Sequence, residues 1–223
     1  MTDSQPPRAT STLRLAIALN ETASRRSSDM MPTVRLTVCD AGDERIIGEI
    51  RTDEKTPRIA AADHAFARAD ARNILSRVMD EGAWLAELRR VIAPGGQLVL
   101  TVPAGGPLAW LDAQNIYRYL TDITGRGTKP SATLPTGWHR HYHADEIRHL
   151  VENAGFSVQS IERTGVGLAE IPQLMGLVVG DYLLQRPETE RRMHPNRARL
   201  ERLDREVRLP GLGKVLSVVA TRP

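Results

Sequence analysis

A helix pattern, a Pro-Gly-Gly turn and an apolar run follow one another directly, and this succession constrains the fold most. In residues 81–93, EGAWLAELRRVIA, the large apolar side chains recur at helical spacing. Pro94 stops a helix because it has no amide hydrogen, and Gly95 and Gly96 supply a turn. The run QLVLTVP at 97–103 is nearly all apolar, as in a strand that is covered on both faces. The unit predicts a helix leading into a central strand of an α/β sheet.

Strand patterns occur on both sides of this unit. Residues 12–20 are β-branched and aliphatic, and residues 33–40 alternate apolar with polar side chains, as a half-buried strand does. Residues 45–52 predict another strand, which forms a hairpin with 33–40. Residues 64–80 have helical propensity throughout. Helices are also predicted for 108–124, 143–155 and 171–186, and further strands for 156–165 and 214–223.

Composition narrows the class of protein. The chain has 223 residues, a formal net charge of +3 and one cysteine, Cys39, which we expect to be a buried small hydrophobe. A single cysteine excludes a disulfide framework within the chain, and no nucleic-acid-binding motif is present. Residues 1–11 read as a disordered tail without a secretion signal, and the longest apolar stretch, 171–184, is shorter than the roughly 20 residues of a membrane span. We therefore expect one cytoplasmic domain with no nucleic-acid partner and no transmembrane segment.

Three blocks resemble, in the correct order, parts of the class I S-adenosyl-L-methionine (SAM)-dependent methyltransferases. WLAELRRVIAPGGQLVLTVP resembles the helix, turn and fifth strand of that family, and AAADHAFARADARNILSRVMDEG has Asp63, Phe66 and Asn73 at the family's spacing. WHRHYHADEIRHLVENAGFSVQSIER resembles the following loop, helix and sixth strand, and KVLSVVATRP suits the seventh, antiparallel strand. The resemblance covers about 57–223. It implies a Rossmann-like sheet with helices on both faces, and SAM as the cofactor.

The N-terminal part departs from the family. The family's first strand ends in Asp/Glu-x-x-Gly-x-Gly-x-Gly, whose glycines let the backbone approach the cofactor beside a helix N-terminus. Nothing in 1–60 matches this motif. Only 52 residues separate Gly42 from Pro94, which is cramped for three strands and their helices when one βαβ unit takes about 30 residues. We predict that residues 12–56 are a divergent part of the domain, truncated or replaced by a β-hairpin.

The resemblance suggests cofactor contacts at three positions. Asn73 follows the expected fourth strand, at the carboxyl edge where ligands bind in open α/β sheets. If residues 33–41 correspond to the family's third strand, Asp40 and Ala41 stand where the family contacts adenine. The alternative is that Asp40 and Ala41 belong only to a hairpin turn.

The segment WHRHYHADE contains three histidines at alternate positions. In an extended chain His139, His141 and His143 point the same way, which suits a metal, but no fourth ligand is obvious and we expect none. Methyl transfer to a hydroxyl needs a base, and His139 or His141 can take that proton near neutral pH while Tyr142 positions the acceptor. The alternative is a lead into the next helix, with His143 or Asp145 near its N-cap.

Two functions remain open from the sequence. The first is a SAM-dependent methyltransferase acting on an oxygen of a small-molecule, sugar or lipid-linked acceptor. The second is a degenerate methyltransferase-fold protein that binds no SAM and acts as a partner or regulatory subunit, forming a homo-oligomer or completing its sheet with another chain. Segment 171–184 is interpreted as core packing, with an acceptor-site cover or a membrane-surface helix as alternatives. The arginine-rich run 186–208 is interpreted as a solvated face.

Overall fold

The structure, a computed structural model, describes residues 11–18, 33–40, 43–107, 109–125, 140–167, 170–184, 203–204 and 213–223. The strands are β1 (Thr12–Ala18), β2 (Thr33–Asp40), β3 (Asp43–Arg51), β4 (Phe66–Arg72), β5 (Ile92–Pro103), β6 (Ser157–Thr164) and β7 (Val215–Thr221). The helices are α1 (Glu81–Val91), α2 (Ala113–Thr124), α3 (Ala144–Asn153) and α4 (Glu170–Gly176), which continues into a π-helical segment, Leu177–Leu183. A short 3₁₀ turn covers Leu75–Arg77. No helix in these ranges is long and apolar enough to span a membrane.

All seven strands belong to one sheet, in the order β3-β2-β1-β4-β5-β7-β6. Strands β1, β4 and β5 are parallel, and β7 runs antiparallel between β5 and β6. Apart from the insertion of β7, this is the 3-2-1-4-5-6 order of Rossmann-type sheets. The Rossmann-like sheet predicted from the sequence is confirmed, including its final antiparallel strand.

The first three strands form an antiparallel meander. Strand β2 is antiparallel to β1, with Thr12 opposite Cys39, and β3 is antiparallel to β2. In a doubly wound sheet these positions hold parallel strands, which crossover connections join. The predicted hairpin in the N-terminal part is confirmed, and the antiparallel pairing extends to β1.

The main hydrophobic core lies on one face of the sheet. Alternate side chains of the strands point to this face, because a strand has a period of two. Helices α1 and α3 bury their apolar sides in the same core and contact each other. Its central members are Leu13, Leu15, Leu36, Ala69, Leu98, Leu100, Val218, Trp84, Leu88, Ile147 and Val151, all of which are fully buried.

The opposite face differs from that of a doubly wound sheet, because its N-terminal half carries charged, partly exposed side chains. Arg14 forms an ion pair of 2.6 Å with Glu44, and Arg68 forms one of 2.7 Å with Asp70. Cys39 lies on this face, half-buried beside Arg14 and Glu44. The expectation of a fully buried Cys39 is therefore wrong. Partial burial raises the pKa of its thiol above the usual value.

Segment 64–80 forms a strand where its composition favours a helix. Residues 66–72 are β4, which pairs with β1 on one side and with β5 on the other. Ala69 and Ala71 are buried in the core. Pairing on both sides outweighs the low strand propensity of alanine, which is a weak preference that packing often overrides.

The Pro-Gly-Gly turn lies inside β5. Phe66 of β4 is opposite Ile92, but Arg68 is opposite Gln97, so residues 93–96 bulge out of the pairing. Gly95 has a φ of 75°, a conformation that glycine adopts at little cost. A Cβ on Gly96 would lie 2.6 Å from Ile92 Cγ2 and 2.7 Å from the oxygen of Ala93. Both glycines are therefore required by the backbone.

Candidate functional site

The candidate site lies at the carboxyl ends of β4 and β5, the edge where open α/β sheets bind ligands. Three segments meet there: residues 73–80 after β4, residues 104–107 and 109–112 after β5, and residues 140–143 before α3. Tyr142 joins the last two, because its amide donates to the oxygen of Pro103 and its oxygen accepts from Gly105. Arg140 connects the first, because it donates to the oxygen of Val78.

Asn73 immediately follows β4, where the sequence places it. It adopts a φ of 52°, which asparagine tolerates better than most residues. Its amide donates to the oxygen of Thr101 at 2.8 Å, which ties the end of β4 to β5. Its side chain is exposed at the carboxyl edge.

Arg140 and Tyr142 hold the segment before α3 to the start of α1. The hydroxyl of Tyr142 donates to Glu81 Oε1 at 2.6 Å, and Arg140 Nη1 lies 2.6 Å from the same oxygen. Arg140 also donates to the oxygen of Val78. Burial and the Glu81 carboxylate raise the pKa of Tyr142 well above its usual value. Tyr142 is therefore buried and holds the segment before α3 against the start of α1. Its hydroxyl is not presented to an acceptor in this structure.

His141 forms a pair with Asp112. His141 Nε2 lies 3.4 Å from Asp112 Oδ2, and the two side chains are 17% and 9% exposed. The other oxygen, Oδ1, accepts the amide of Asn115 at 3.0 Å, so Asp112 also caps the first turn of α2. A carboxylate beside an imidazole orients the ring and selects its tautomer. The pair has the arrangement of a general base, whereas His139 lies outside the described residues.

Lys214 and Glu170 form a second ion pair behind this segment, in which Lys214 is buried and Glu170 is partly exposed. Lys214 Nζ donates to the oxygen of Leu111 and lies 3.3 Å from Glu170 Oε1. Glu170 Oε2 accepts the amide of Ala113 at 2.9 Å. These contacts join the starts of α2, α4 and β7. Sequence reasoning missed Asp112, Glu170 and Lys214, because they are far apart in the chain and belong to no spacing pattern.

His143 is the N-cap residue of α3, as the alternative interpretation of WHRHYH states. Its amide donates to the side chain of Glu146 at 3.3 Å, which is half of a capping box. Within the described ranges, no group of three or more His, Cys, Asp or Glu side chains is arranged for a metal.

The structure does not bring Asp40 together with Asn73. Strand β2 runs antiparallel to β1, so Asp40 lies beside the amino end of β1 and pairs with Asp43 across the hairpin. Seven residues of β1 separate the two edges by about 20 Å. Of the two interpretations, the hairpin turn is the one observed at Asp40, whereas Ala41 lies outside the described residues.

The residues present do not fit SAM in the manner of the family that the chain resembles. That site needs glycines at the end of the first strand, followed by a helix whose N-terminus faces the ligand. Here residues 19–32 contain no glycine, and the first glycine of the chain is Gly42. The chain then returns as the antiparallel strand β2. At the carboxyl edge, the ends of β4 and β5 are arranged as the resemblance predicts, whereas the sequence and strand pairing that follow β1 are not.

Comparisons with known proteins show similarity of fold to solved structures. No protein-family model and no curated protein matches the chain. One similar structure is a SAM-dependent methyltransferase from Methanosarcina mazei, with 16% identity, a TM-score of 0.41, and coverage of 76% of this chain and 65% of that one. Another, from Mesorhizobium loti, has 20% identity, a TM-score of 0.39, and coverage of 78% and 67%.

A third similar structure is phosphoethanolamine N-methyltransferase 2 from Haemonchus contortus in complex with SAM. It has 12% identity, a TM-score of 0.41, and coverage of 72% of this chain and 34% of that one. The chain spans 52–65% of the length of the first structures that it matches. The strand order establishes the Rossmann-like fold without these matches, and a shared fold does not establish the reaction.

Proposed function

We propose that this chain is a methyltransferase-fold protein that does not bind SAM and that acts as a partner or regulatory subunit. The observation that carries the proposal is the antiparallel pairing of β1 with β2, with no glycine before Gly42. A βαβ crossover joins parallel strands and places a helix N-terminus at the end of the first strand, whereas β2 is antiparallel to β1 here. Without glycines after β1, the close backbone approach that cradles a charged cofactor is not favoured at that edge.

The rest of the fold supports a stable scaffold. The parallel strands β1, β4 and β5 and the helices α1 and α3 share one continuous core. The carboxyl edge is tied together by the contacts of Asn73, Arg140 and Tyr142. Such a scaffold presents surfaces to another chain without a cofactor of its own.

The test is calorimetric titration of the folded protein with S-adenosylhomocysteine, the product form of the cofactor. We expect no binding up to about 1 mM ligand, which corresponds to a binding free energy weaker than about −4.1 kcal/mol. Circular dichroism and a cooperative thermal transition establish that the sample is folded. Micromolar binding that Asn73→Ala abolishes, and that Asp40→Asn at the opposite edge leaves intact, would overturn the proposal.

A second candidate function is a stand-alone enzyme that methylates an oxygen of a small-molecule, sugar or lipid-linked acceptor. The His141–Asp112 pair favours it, because a hydroxyl must lose its proton to a base as it reacts. In this case His141 Nδ1 accepts the hydroxyl proton, because Nε2 faces Asp112, and Asp112 stabilises the resulting imidazolium.

Methyl transfer from labelled SAM to a panel of hydroxyl acceptors tests the second candidate. If the enzyme account is right, His141→Gln lowers transfer by about 100-fold or more, the usual size of a general-base effect. The matched control is His149→Gln, because His149 is exposed on α3. Equal activity of both variants would exclude His141 as the base.

A further inference from the structure

Large apolar side chains are exposed mainly on one group of helices. Within the described residues, ten large hydrophobic side chains are exposed, and seven of them lie on or beside α2, α4 and the π-helical segment. We call these seven the apolar helical surface: Trp110, Tyr119, Ile123, Ile171, Met175, Leu183 and Leu184. Monomeric proteins rarely expose large contiguous apolar patches unless the patch binds something.

The exposed positions follow from the way each helix packs. On α2, the buried residues Ala113, Tyr117 and Thr121 recur every four positions and form the inward side. Tyr119 and Ile123 also lie one turn apart, on the outward side, and are 57% and 61% exposed. Tyr119 and Ile123 therefore add apolar surface to the outward side of α2, next to the exposed Asp122.

Helix α4 repeats this arrangement beside α2. Ile171 and Met175 are one turn apart and are 57% and 51% exposed, while Gln173 is buried. The hydrogen bond from the Ala113 amide to Glu170 places the starts of α2 and α4 together, and both helices contact the π-helical segment. The expectation that 171–184 is core packing is therefore wrong for Ile171, Met175, Leu183 and Leu184.

The net charge of the segment that follows this surface in the chain indicates the kind of partner. Residues 186–208, which follow Leu184 after one residue, contain eight arginines and five acidic residues. This net charge of +3 equals that of the whole chain, and the remaining residues hold 22 basic and 22 acidic side chains. An apolar surface with Trp and Tyr, next in the chain to excess arginine, matches the chemistry of an anionic bilayer surface.

We propose that the apolar helical surface binds the surface of an anionic lipid bilayer. The aromatic and aliphatic side chains enter the boundary between headgroups and acyl chains, and the basic character of the chain attracts the lipid phosphates. The proposal goes beyond the proposed function, because it holds whether or not the carboxyl edge binds SAM.

Flotation with lipid vesicles tests the proposal. The protein is mixed with vesicles of phosphatidylcholine alone, or with about one third phosphatidylglycerol, at low and at high salt. We expect binding to the anionic vesicles that weakens with salt, because screening shortens the reach of the charges. Ile123→Ser combined with Met175→Ser should weaken binding by about tenfold or more, since each change removes apolar area that the bilayer buries.

The matched control is Ile46→Ser combined with Met79→Ser. Both residues are exposed, at 58% and 44%, but they lie outside the apolar helical surface. Control binding should equal that of the unaltered chain, and circular dichroism verifies that every variant is folded. Absence of vesicle binding by the folded chain, or equal losses in both double variants, would overturn the proposal. The proposal would also be overturned if the chain does not bind vesicles and Ile123→Ser combined with Met175→Ser abolishes its self-association in gel filtration.

Discussion

Glu87 and Arg90 tie the segment before β4 to α1. Glu87 Oε1 accepts the amide of Ile59 at 2.7 Å, and Arg90 donates to Glu87 and to the oxygens of Ile59 and Ala61. Burial opposes ionisation of Glu87, but the hydrogen bonds from Arg90 and Ile59 outweigh it, so the pKa of Glu87 is lowered. The charged form of Glu87 therefore stabilises the folded state.

A pH-dependent loss of stability follows for Glu87→Gln. A lowered folded-state pKa means that the contribution is present above the ordinary value of 4.5 and is lost as the pH falls through the folded value. We expect Glu87→Gln to reduce the free energy of unfolding by about 1.5–3 kcal/mol at neutral pH, with a difference that shrinks in acid. Urea unfolding at a series of pH values between about 7 and 3 measures it.

The control for this prediction is Glu54→Gln, at an exposed position outside the network. It should change neither the stability nor its dependence on pH. A difference between Glu87→Gln and the unaltered chain that stays constant down to the lowest pH would contradict the assigned role of Glu87.

Single residues were predictable from the sequence where a local rule governs them. Asn73 at the end of β4 and His143 at the N-cap of α3 follow from element boundaries and capping preferences. The sequence did not reveal the pairing of Asp112 with His141 or of Tyr142 with Glu81, because these partners are 29 and 61 residues apart in the chain. No sequence spacing encodes such contacts.

At the scale of elements, the boundaries of helices and strands follow from sequence periodicity. Departures from the local propensity of a segment follow from its packing. The predicted strand at 33–40 and the helices near α1 and α3 are confirmed. The composition of 64–80 favours a helix, whereas the resemblance to methyltransferases predicts a strand before Asn73. The structure has the strand, β4, which pairs with β1 and β5. The end of α1 also depends on a distant residue, since Arg222 donates to the oxygens of Arg89 and Ile92.

The bulge in β5 makes a prediction for its glycines. Gly96→Ala places a methyl group against Ile92 and two backbone oxygens, so we expect a loss of about 1–3 kcal/mol in the free energy of unfolding. Gly48→Ala is the matched control, because Gly48 lies in β3 with open space around its Cα and without a positive φ. Chemical denaturation of both variants tests the difference. Equal stabilities would contradict the close packing at Gly96.

At the scale of the whole molecule, the C-terminal half of the sheet with its antiparallel last strand was predictable, and the antiparallel pairing of β1 with β2 was not. The three blocks that resemble methyltransferases contain β4, α1, β5, α3 and β6, and they predict the C-terminal half of the sheet. The sequence of 12–56 predicts strands and a hairpin. It does not indicate that β1 joins β4 in parallel while β2 turns back, because that depends on pairing between segments that are distant in the chain.

The single native cysteine gives the most direct measurement of the central claim, that β1 and β2 are antiparallel. Position 12 is opposite Cys39, and facing residues of antiparallel strands have Cα atoms about 4.5–5.5 Å apart, within disulfide range. We predict that Thr12→Cys forms an intramolecular disulfide with Cys39 on mild oxidation, whereas Ala18→Cys does not. Mass spectrometry of dilute samples detects the bond. Cross-linking through position 18 instead of position 12 would mean parallel strands and would contradict the account.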